Sequence, residues 1–238
     1  MRPLGNTLVG LAVWLSFMCK IVTATPNDAV PQSDRSASSE LRFIAIGDWG
    51  QGGGRQKKVA RAMRKWGAAQ TCDFIISTGD NIYDCGVKSV NDDLFNSRWR
   101  DVYKQPKIAG LTWYMCAGNH DHGYGHVRSC DVPGYEVRYQ VEYSKINPRW
   151  HFPELNYSFK KNVGTSKIKF VSIDTESISD GENVNVTDFL NRELNDPHVN
   201  WKVVFGHHPF FSAGGKDKTS RTDNEFRDKI LPVLQNHN

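Results

Sequence analysis

Short apolar runs in this chain repeatedly stop at a glycine followed at once by a polar residue. Leu41–Ile46 breaks at Gly47-Asp48-Trp49-Gly50, Phe74–Thr78 at Gly79-Asp80, Leu111–Ala117 at Gly118-Asn119-His120, and Trp201–Phe205 at Gly206-His207-His208-Pro209. A further run, Ile168–Ile173, ends directly on Asp174. Runs of this length bounded by such breaks read as strands. Between them, Arg55–Gln70 reads as a helix with Val59, Met63 and Trp66 on one face, and Asp92–Tyr103 as a second helical stretch. His122–Phe159, rich in Gly, Tyr and Pro, reads as a long loop excursion. Strands alternating with helical segments specify a layered α/β fold, in which ligands gather at the carboxyl ends of the strands. Glycine at each strand end lets the backbone turn sharply, so that the next side chain projects into the crevice.

The flanks of this pattern bear on compartment. Arg2 followed by the apolar run Leu8–Met18 and by Val22-Thr23-Ala24 predicts a signal peptide over residues 1–24. The polar Pro/Ser/Asp stretch 25–40 reads as a disordered lead-in, and 41–238 as one domain. No other run reaches membrane-spanning length. The formal charge of +4 includes Arg2 and Lys20, so removal of 1–24 leaves 4 − 2 = +2, too mild to argue for nucleic acid. Entry into the secretory pathway predicts a secreted or lysosome/vacuole-like destination. In that oxidising setting Cys72, Cys85, Cys116 and Cys130 are expected to form two disulfides, with three connectivities open. The sequons Asn156-Tyr157-Ser158 and Asn185-Val186-Thr187 fit a glycoprotein.

The strand ends deliver Asp48, Asp80, Asn119 and His207, and Tyr83 follows Asp80 by three residues. Oxygen donors with one imidazole suit hard or borderline metal ions. A carboxylate such as Asp80 can bridge two cations and offset their repulsion. A phenolate such as Tyr83 requires a strong Lewis acid beside it to ionise at neutral pH, which favours a trivalent ion. Each residue alone has an ordinary explanation: an Asp after a strand caps a helix, Gly-Asn-His makes a turn, and Tyr83 is a half-buried aromatic. All of them together, in consistent order at strand ends, favour a metal site.

Gly47-Asp48-Trp49-Gly50, Gly79-Asp80-Asn81-Ile82-Tyr83, Gly118-Asn119-His120-Asp121 and Gly206-His207-His208-Pro209 resemble four of the five metal-site blocks of the purple (tartrate-resistant) acid phosphatases. Similarity runs from Leu41 through Asn238 and includes Trp113-Tyr114, Tyr143-Ser144-Lys145-Ile146 and Arg149-Trp150-His151-Phe152-Pro153. The resemblance implies a four-layer α/β/β/α metallophosphoesterase sandwich with mixed sheets, incomplete at the C-terminus. It implies a centre of Fe(III) plus a divalent iron, zinc or manganese ion. On that pattern Asp48 and Tyr83 bind the ferric ion, Asp80 bridges, and Asn119 and His207 bind the divalent ion. His120 is implied to be catalytic, assisting phosphate binding and protonating the leaving group. The implied reaction is in-line hydrolysis of phosphate monoesters on small molecules or phosphoproteins, with an acidic optimum.

Two departures stand beside this. The family's fifth block, Gly-His-x-His, supplies one histidine to each metal and is expected after a strand following Leu231-Pro232-Val233-Leu234; the sequence stops at Asn238 before it. His237 lies upstream of that strand without a preceding Gly and reads as a surface histidine, so a truncated gene product or fragment with weakened metal binding is expected. Animal members also carry a histidine shortly after the Gly-His block, and Ala213–Lys218 has none; Lys216 is either a phosphate-facing charge or a solvated loop lysine. A non-catalytic scaffold or anchor on the same fold, as in the glideosome-associated anchor of apicomplexan parasites, is the alternative function. A phosphodiesterase or nucleotidase of the wider superfamily is disfavoured by Tyr83.

Overall fold

The computed structural model describes residues 18–23, 40–123, 130, 132–179, 185–211 and 221–237. Its strands form two sheets. The first joins β1 (Met18–Thr23), β2 (Glu40–Ile46), β3 (Phe74–Ser77), β4 (Trp113–Tyr114) and β5 (Trp150–His151) in that order. β1 runs antiparallel to β2, and β2 through β5 are parallel. The second joins β6 (Tyr157–Val163), antiparallel to β7 (Ser166–Ser172), which is parallel to β8 (Trp201–Phe205).

The sheets face each other through aromatic rings. Phe43 and Phe74 pack edge-on against Phe170, and Tyr114 stacks on Phe159 with centroids 3.6 Å apart. Strand alternation puts Trp113 on the other face of β4. There Trp99, in the π-helical segment Phe95–Arg100, meets the edges of Trp113 and Trp150. Helix α1 (Gly53–Ala69) lies alongside, with Gln56 Nε2 donating to the Arg98 carbonyl. It turns Ala60 and Met63 into the core and its basic residues outward. On the far side of the second sheet, Val171, Ile173 and Val204 pack with α4 (Thr175–Ser179), α5 (Val186–Leu194) and α6 (Arg221–Asn236) through Ile178, Leu190, Leu194, Phe226, Ile230 and Leu234. The layers are therefore α/β/β/α, as expected.

Several local expectations change. β4 spans two residues instead of Leu111–Ala117, because the chain pairs with β3 only at Ile75 and Ile76 before turning. Asp92–Tyr103 is helical only over Phe95–Arg100, between turns. The excursion 122–159 is not one loop: it starts on the last residue of the short helix α2 (Asn119–His122) and contains α3 (Arg138–Tyr143), β5 and the start of β6. Residues 18–23, inside the expected signal peptide, form β1; residues 1–17 and 24–39 lie outside the described residues. Two disulfides are not formed. Cys85 bonds Cys130, while Cys72 and Cys116 are buried thiols. Cys72 precedes β3 and Cys116 follows β4, a parallel pair in which Ile75 opposes Trp113. The two therefore sit at opposite strand ends, roughly 20 Å apart at ~3.3 Å per residue, beyond any disulfide.

Candidate metal centre

The loops after β2, β3, β4 and β8 all open at one end of the sandwich. Asp48 and Asp80 each sit at φ 54, a left-handed conformation that costs a non-glycine residue energy and concentrates at functional sites. The turn is thus made by the aspartates themselves, and among the four preceding glycines only Gly79 has positive φ. Gly118 serves a different purpose. A Cβ there would lie 2.3 Å from Asp80 Oδ1 and 2.6 Å from the Asp80 amide nitrogen, so glycine lets the β3 and β4 loops touch. Backbone bonds knit the first two loops: Asp48 N–H donates to the Gly79 carbonyl and Tyr83 N–H to the Gly50 carbonyl.

All five residues expected to hold metal come together. Ligand atoms of Asp48, Asp80 and His207 lie within 4.8 Å of one another. The Tyr83 hydroxyl donates to Asp80 Oδ2 at 2.5 Å and lies 3.1 Å from Asp48 Oδ1. His207 Nε2 is 3.2 Å from Asn119 Oδ1 and 3.6 Å from Asp80 Oδ1. Asp80 is therefore central: its Oδ2 meets Tyr83, which also reaches Asp48, and its Oδ1 lies toward His207, which also reaches Asn119. His207 Nδ1 is 2.9 Å from the Thr78 carbonyl, which can only accept, so Nδ1 carries a proton and Nε2 is the ring atom turned toward Asn119 and Asp80.

The charges in this cluster suit a cation. Burial pushes the Asp48 carboxyl above its ordinary value and the Asp80 charge adds to this, against the attraction of His207 and the Tyr83 hydroxyl. Burial, the hydrogen bond to Asp80 and the two carboxylate charges hold the Tyr83 phenol well above its usual range. A cation between these groups would reverse both shifts, since it favours the ionised forms. The donor set fits hard and borderline ions, with three anionic oxygens once Tyr83 ionises, one amide oxygen and one imidazole nitrogen.

His120 lies at the edge. Its backbone N–H donates to Asp80 Oδ1 at 3.1 Å and its ring packs against Tyr83 with centroids 4.2 Å apart. Its Nδ1 is 2.5 Å from the Asp84 carbonyl, which likewise requires the proton on Nδ1. Lys216 and the stretch Ala213–Lys218 lie outside the described residues. His237 lies outside this cluster: its Nε2 is 3.0 Å from Asn191 Oδ1 on α5.

Supporting residues had no role in the sequence reasoning. His122 Nε2 meets Asp174 Oδ1 at 3.1 Å in a buried pair, and the Asp174 carboxylate also accepts from Ser177 Oγ. Asp121, fully buried, accepts from three backbone amides around the site and has its carboxyl pushed up to about 6 by burial and by Asp80, against the pull of the Gln140 side chain and the Asn81 and Gly118 amides. Asp121 and Asn81 stand within the quoted motifs; only their position beside ligands could have flagged them.

The sequence pattern of the calcineurin-like phosphoesterases matches residues 41–235. The chain belongs to that family. Among its calcineurin-like phosphoesterase relatives, the chain is 33% identical over 180 residues to tartrate-resistant acid phosphatase type 5 of Homo sapiens, covering 71% of this chain and 50% of that protein. It is 32% identical to the Rattus norvegicus protein of the same name (74% and 58%) and 30% identical to purple acid phosphatase 7 of Arabidopsis thaliana (84% and 62%). The chain thus spans about half to three fifths of the length of these relatives. The solved structure of GAP50, the anchor in the inner membrane complex of Plasmodium, shares the fold with a TM-score of 0.67 over 83% of this chain and 62% of that one, at 22% identity. Calcineurin-like phosphoesterases act on phosphoesters and generally use a dinuclear metal centre. No helix among the described residues is long and apolar enough to cross a membrane.

Proposed function

We propose that this protein hydrolyses phosphate monoesters as an acid phosphatase, with Asp48, Asp80, Tyr83, Asn119 and His207 holding an Fe(III) ion and a divalent iron, zinc or manganese ion. The observation that carries the reading is the convergence of these five donors from four separate loops around Asp80. Such ions, when bound, neutralise and polarise a phosphate group and make water a stronger nucleophile. On this reading Asp80 would serve both ions, Asp48 and Tyr83 the ferric one, and Asn119 and His207 the divalent one. Five donors are fewer than two ions require, so further ligands come from other residues, water or substrate. His120 keeps its Nδ1 proton on the Asp84 carbonyl, which leaves Nε2 as the ring atom for the substrate. Protonated, Nε2 delivers a proton to the departing alkoxide, and this step sets an acidic optimum. The substrate is a phosphorylated small molecule or phosphoprotein met in a secreted or vacuole-like compartment, after removal of residues 1–24, which takes the edge strand β1 from the first sheet and leaves β2–β5.

The test is phosphate release from p-nitrophenyl phosphate by the full-length protein across pH 4–8. Activity that peaks in acid and falls at least about 100-fold in His120→Ala or Asp80→Asn supports the reading. A folded, metal-loaded protein that releases no phosphate contradicts it and favours the second function, a non-catalytic scaffold or anchor, which the shared fold with GAP50 keeps in view.

A further inference from the structure

Beneath the proposed ligands runs a buried chain of hydrogen bonds made by the residues between them. Trp49 Nε1 donates to Ser77 Oγ at 2.7 Å, and Ser77 Oγ donates to Asn81 Oδ1 at 2.5 Å. Asn81 Nδ2 donates to the Cys116 carbonyl at 2.8 Å and to Asp121 Oδ2 at 3.1 Å. Trp49 follows Asp48, Asn81 follows Asp80, and Asp121 follows Asn119 by two. The chain therefore links three ligand-bearing loops through their non-ligand members.

Asp121 is its hub. Oδ1 accepts from the Asn81 amide at 2.9 Å, the Ile82 amide at 3.1 Å and Gln140 Nε2 at 2.8 Å. Oδ2 accepts from the Gly118 amide at 2.9 Å, the Asn81 amide at 3.0 Å and Asn81 Nδ2. Both oxygens face donors only, and Asp121, Asn81, Ser77 and Gln140 are fully buried. Gln140 is itself fixed on α3 by its carbonyl, which accepts from Trp150 Nε1 at 3.1 Å. The carboxylate thus pins the start of the Asn81–Tyr83 segment to the turn that carries Asn119.

We propose that Asp121 is the positioning residue that sets the separation between the Asp80–Tyr83 ligands and the Asn119–His120 pair, and thereby the metal affinity and the geometry of the phenolate–metal contact; this rests on the proposed two-metal reading. A buried, fully satisfied polar hub holds its members more rigidly than an apolar filling would. Asparagine at 121 keeps the shape but must turn an NH2 group toward N–H donors whichever way it is oriented, since neither oxygen faces an acceptor. The two loops would then spread apart at the ligands.

The experiment compares full-length wild type, Asp121→Asn and Gln140→Leu after loading with iron and zinc, by metal content against chelator titration, visible absorption and thermal melting. Asp121→Asn is expected to bind metal about 10- to 100-fold more weakly, the range typical for partners that orient ligands, and to shift the visible band. Gln140→Leu, which removes one of the six donor contacts and the Gln140 Oε1 acceptor 3.3 Å from Asn81 Nδ2, is expected to do the same more weakly and to melt between Asp121→Asn and wild type. Should Asp121→Asn not fold, Gln140→Leu decides alone. Wild-type metal affinity and an unmoved band in a folded variant overturn the proposal, even where melting temperature falls, since that outcome marks a merely structural residue. A wild-type protein that binds no metal overturns instead the two-metal reading on which it rests.

Discussion

Tyr83 is the residue whose chemistry depends most on what surrounds it. Wedged between Asp80 and Asp48, its phenol is held protonated, so only a strong Lewis acid can take the proton's place. Tyr83→Phe is expected to remove visible absorption from the iron-loaded protein and to lower activity at least about tenfold, while the fold is retained. Unchanged colour in that variant, read by absorption spectroscopy, would contradict the assignment. Asp174 tests the pH behaviour of the supporting groups. Burial alone would raise its carboxyl, but the His122 hydrogen bond and charge, with Ser177 and the Glu176 amide, bring it below the ordinary value. A depressed carboxyl contributes stability that is full above the unfolded pKa of about 4 and lost as pH falls through the lower folded value. Asp174→Asn should therefore cost about 2 kcal/mol at neutral pH, a deficit that begins to close only as pH falls below about 4 in urea denaturation. At this scale Asp48, Asp80, Asn119 and His207 were legible because each follows a strand-ending glycine, and Tyr83 through its spacing of three from Asp80 and the motif resemblance. Asp121, Ser77, Gln140 and Asp174 were not, because their partners lie at sequence distances that no local pattern encodes.

Among the elements, β7 shows how a polar residue can stand in a helix-covered sheet face. Phe170 points to the first sheet, so its neighbour Lys169 points to the helical layer, where its side chain is only 7% exposed. The ammonium meets Glu193 Oε2 at 2.9 Å, Asp196 Oδ2 at 3.2 Å and the Glu193 carbonyl at 3.0 Å, and Lys160 on β6 reaches Asp196 at 2.7 Å. Lys169→Met leaves two carboxylates without their shared cation and is expected to destabilise the protein by about 3 kcal/mol in urea denaturation, whereas an effect near zero would show the cluster to be solvated. Strands β2, β3, β7 and β8 were readable as apolar runs. β6 was not, because Tyr157–Val163 carries Lys160, Lys161 and Asn162, and its place comes from pairing with β7. β4 was overread for the converse reason: an apolar run continues past the two residues that pair.

Across the whole molecule, the proposed centre sits where both sheets end, so its precision depends on how the layers are held. The Cys85–Cys130 bond closes a separation of 45 residues beginning two residues after Tyr83. By loop entropy it is worth up to about 4 kcal/mol, so Cys85→Ala/Cys130→Ala should melt well below wild type while Cys72 and Cys116 stay unreactive to thiol reagents in the native state. The α/β/β/α layering was legible from strand and helix alternation together with the motif resemblance, whereas the cysteine pairing depended on which strand ends coincide in space. The central claim is that Asp80 and its four neighbours hold a two-metal centre. The most direct measurement is the metal content of the purified full-length protein by elemental mass spectrometry, alongside Asp80→Asn. Two ions per chain including iron in the wild type, with both lost on substitution of Asp80, is the expected result. A folded wild type without iron, or an Asp80→Asn protein that keeps both ions, would contradict it.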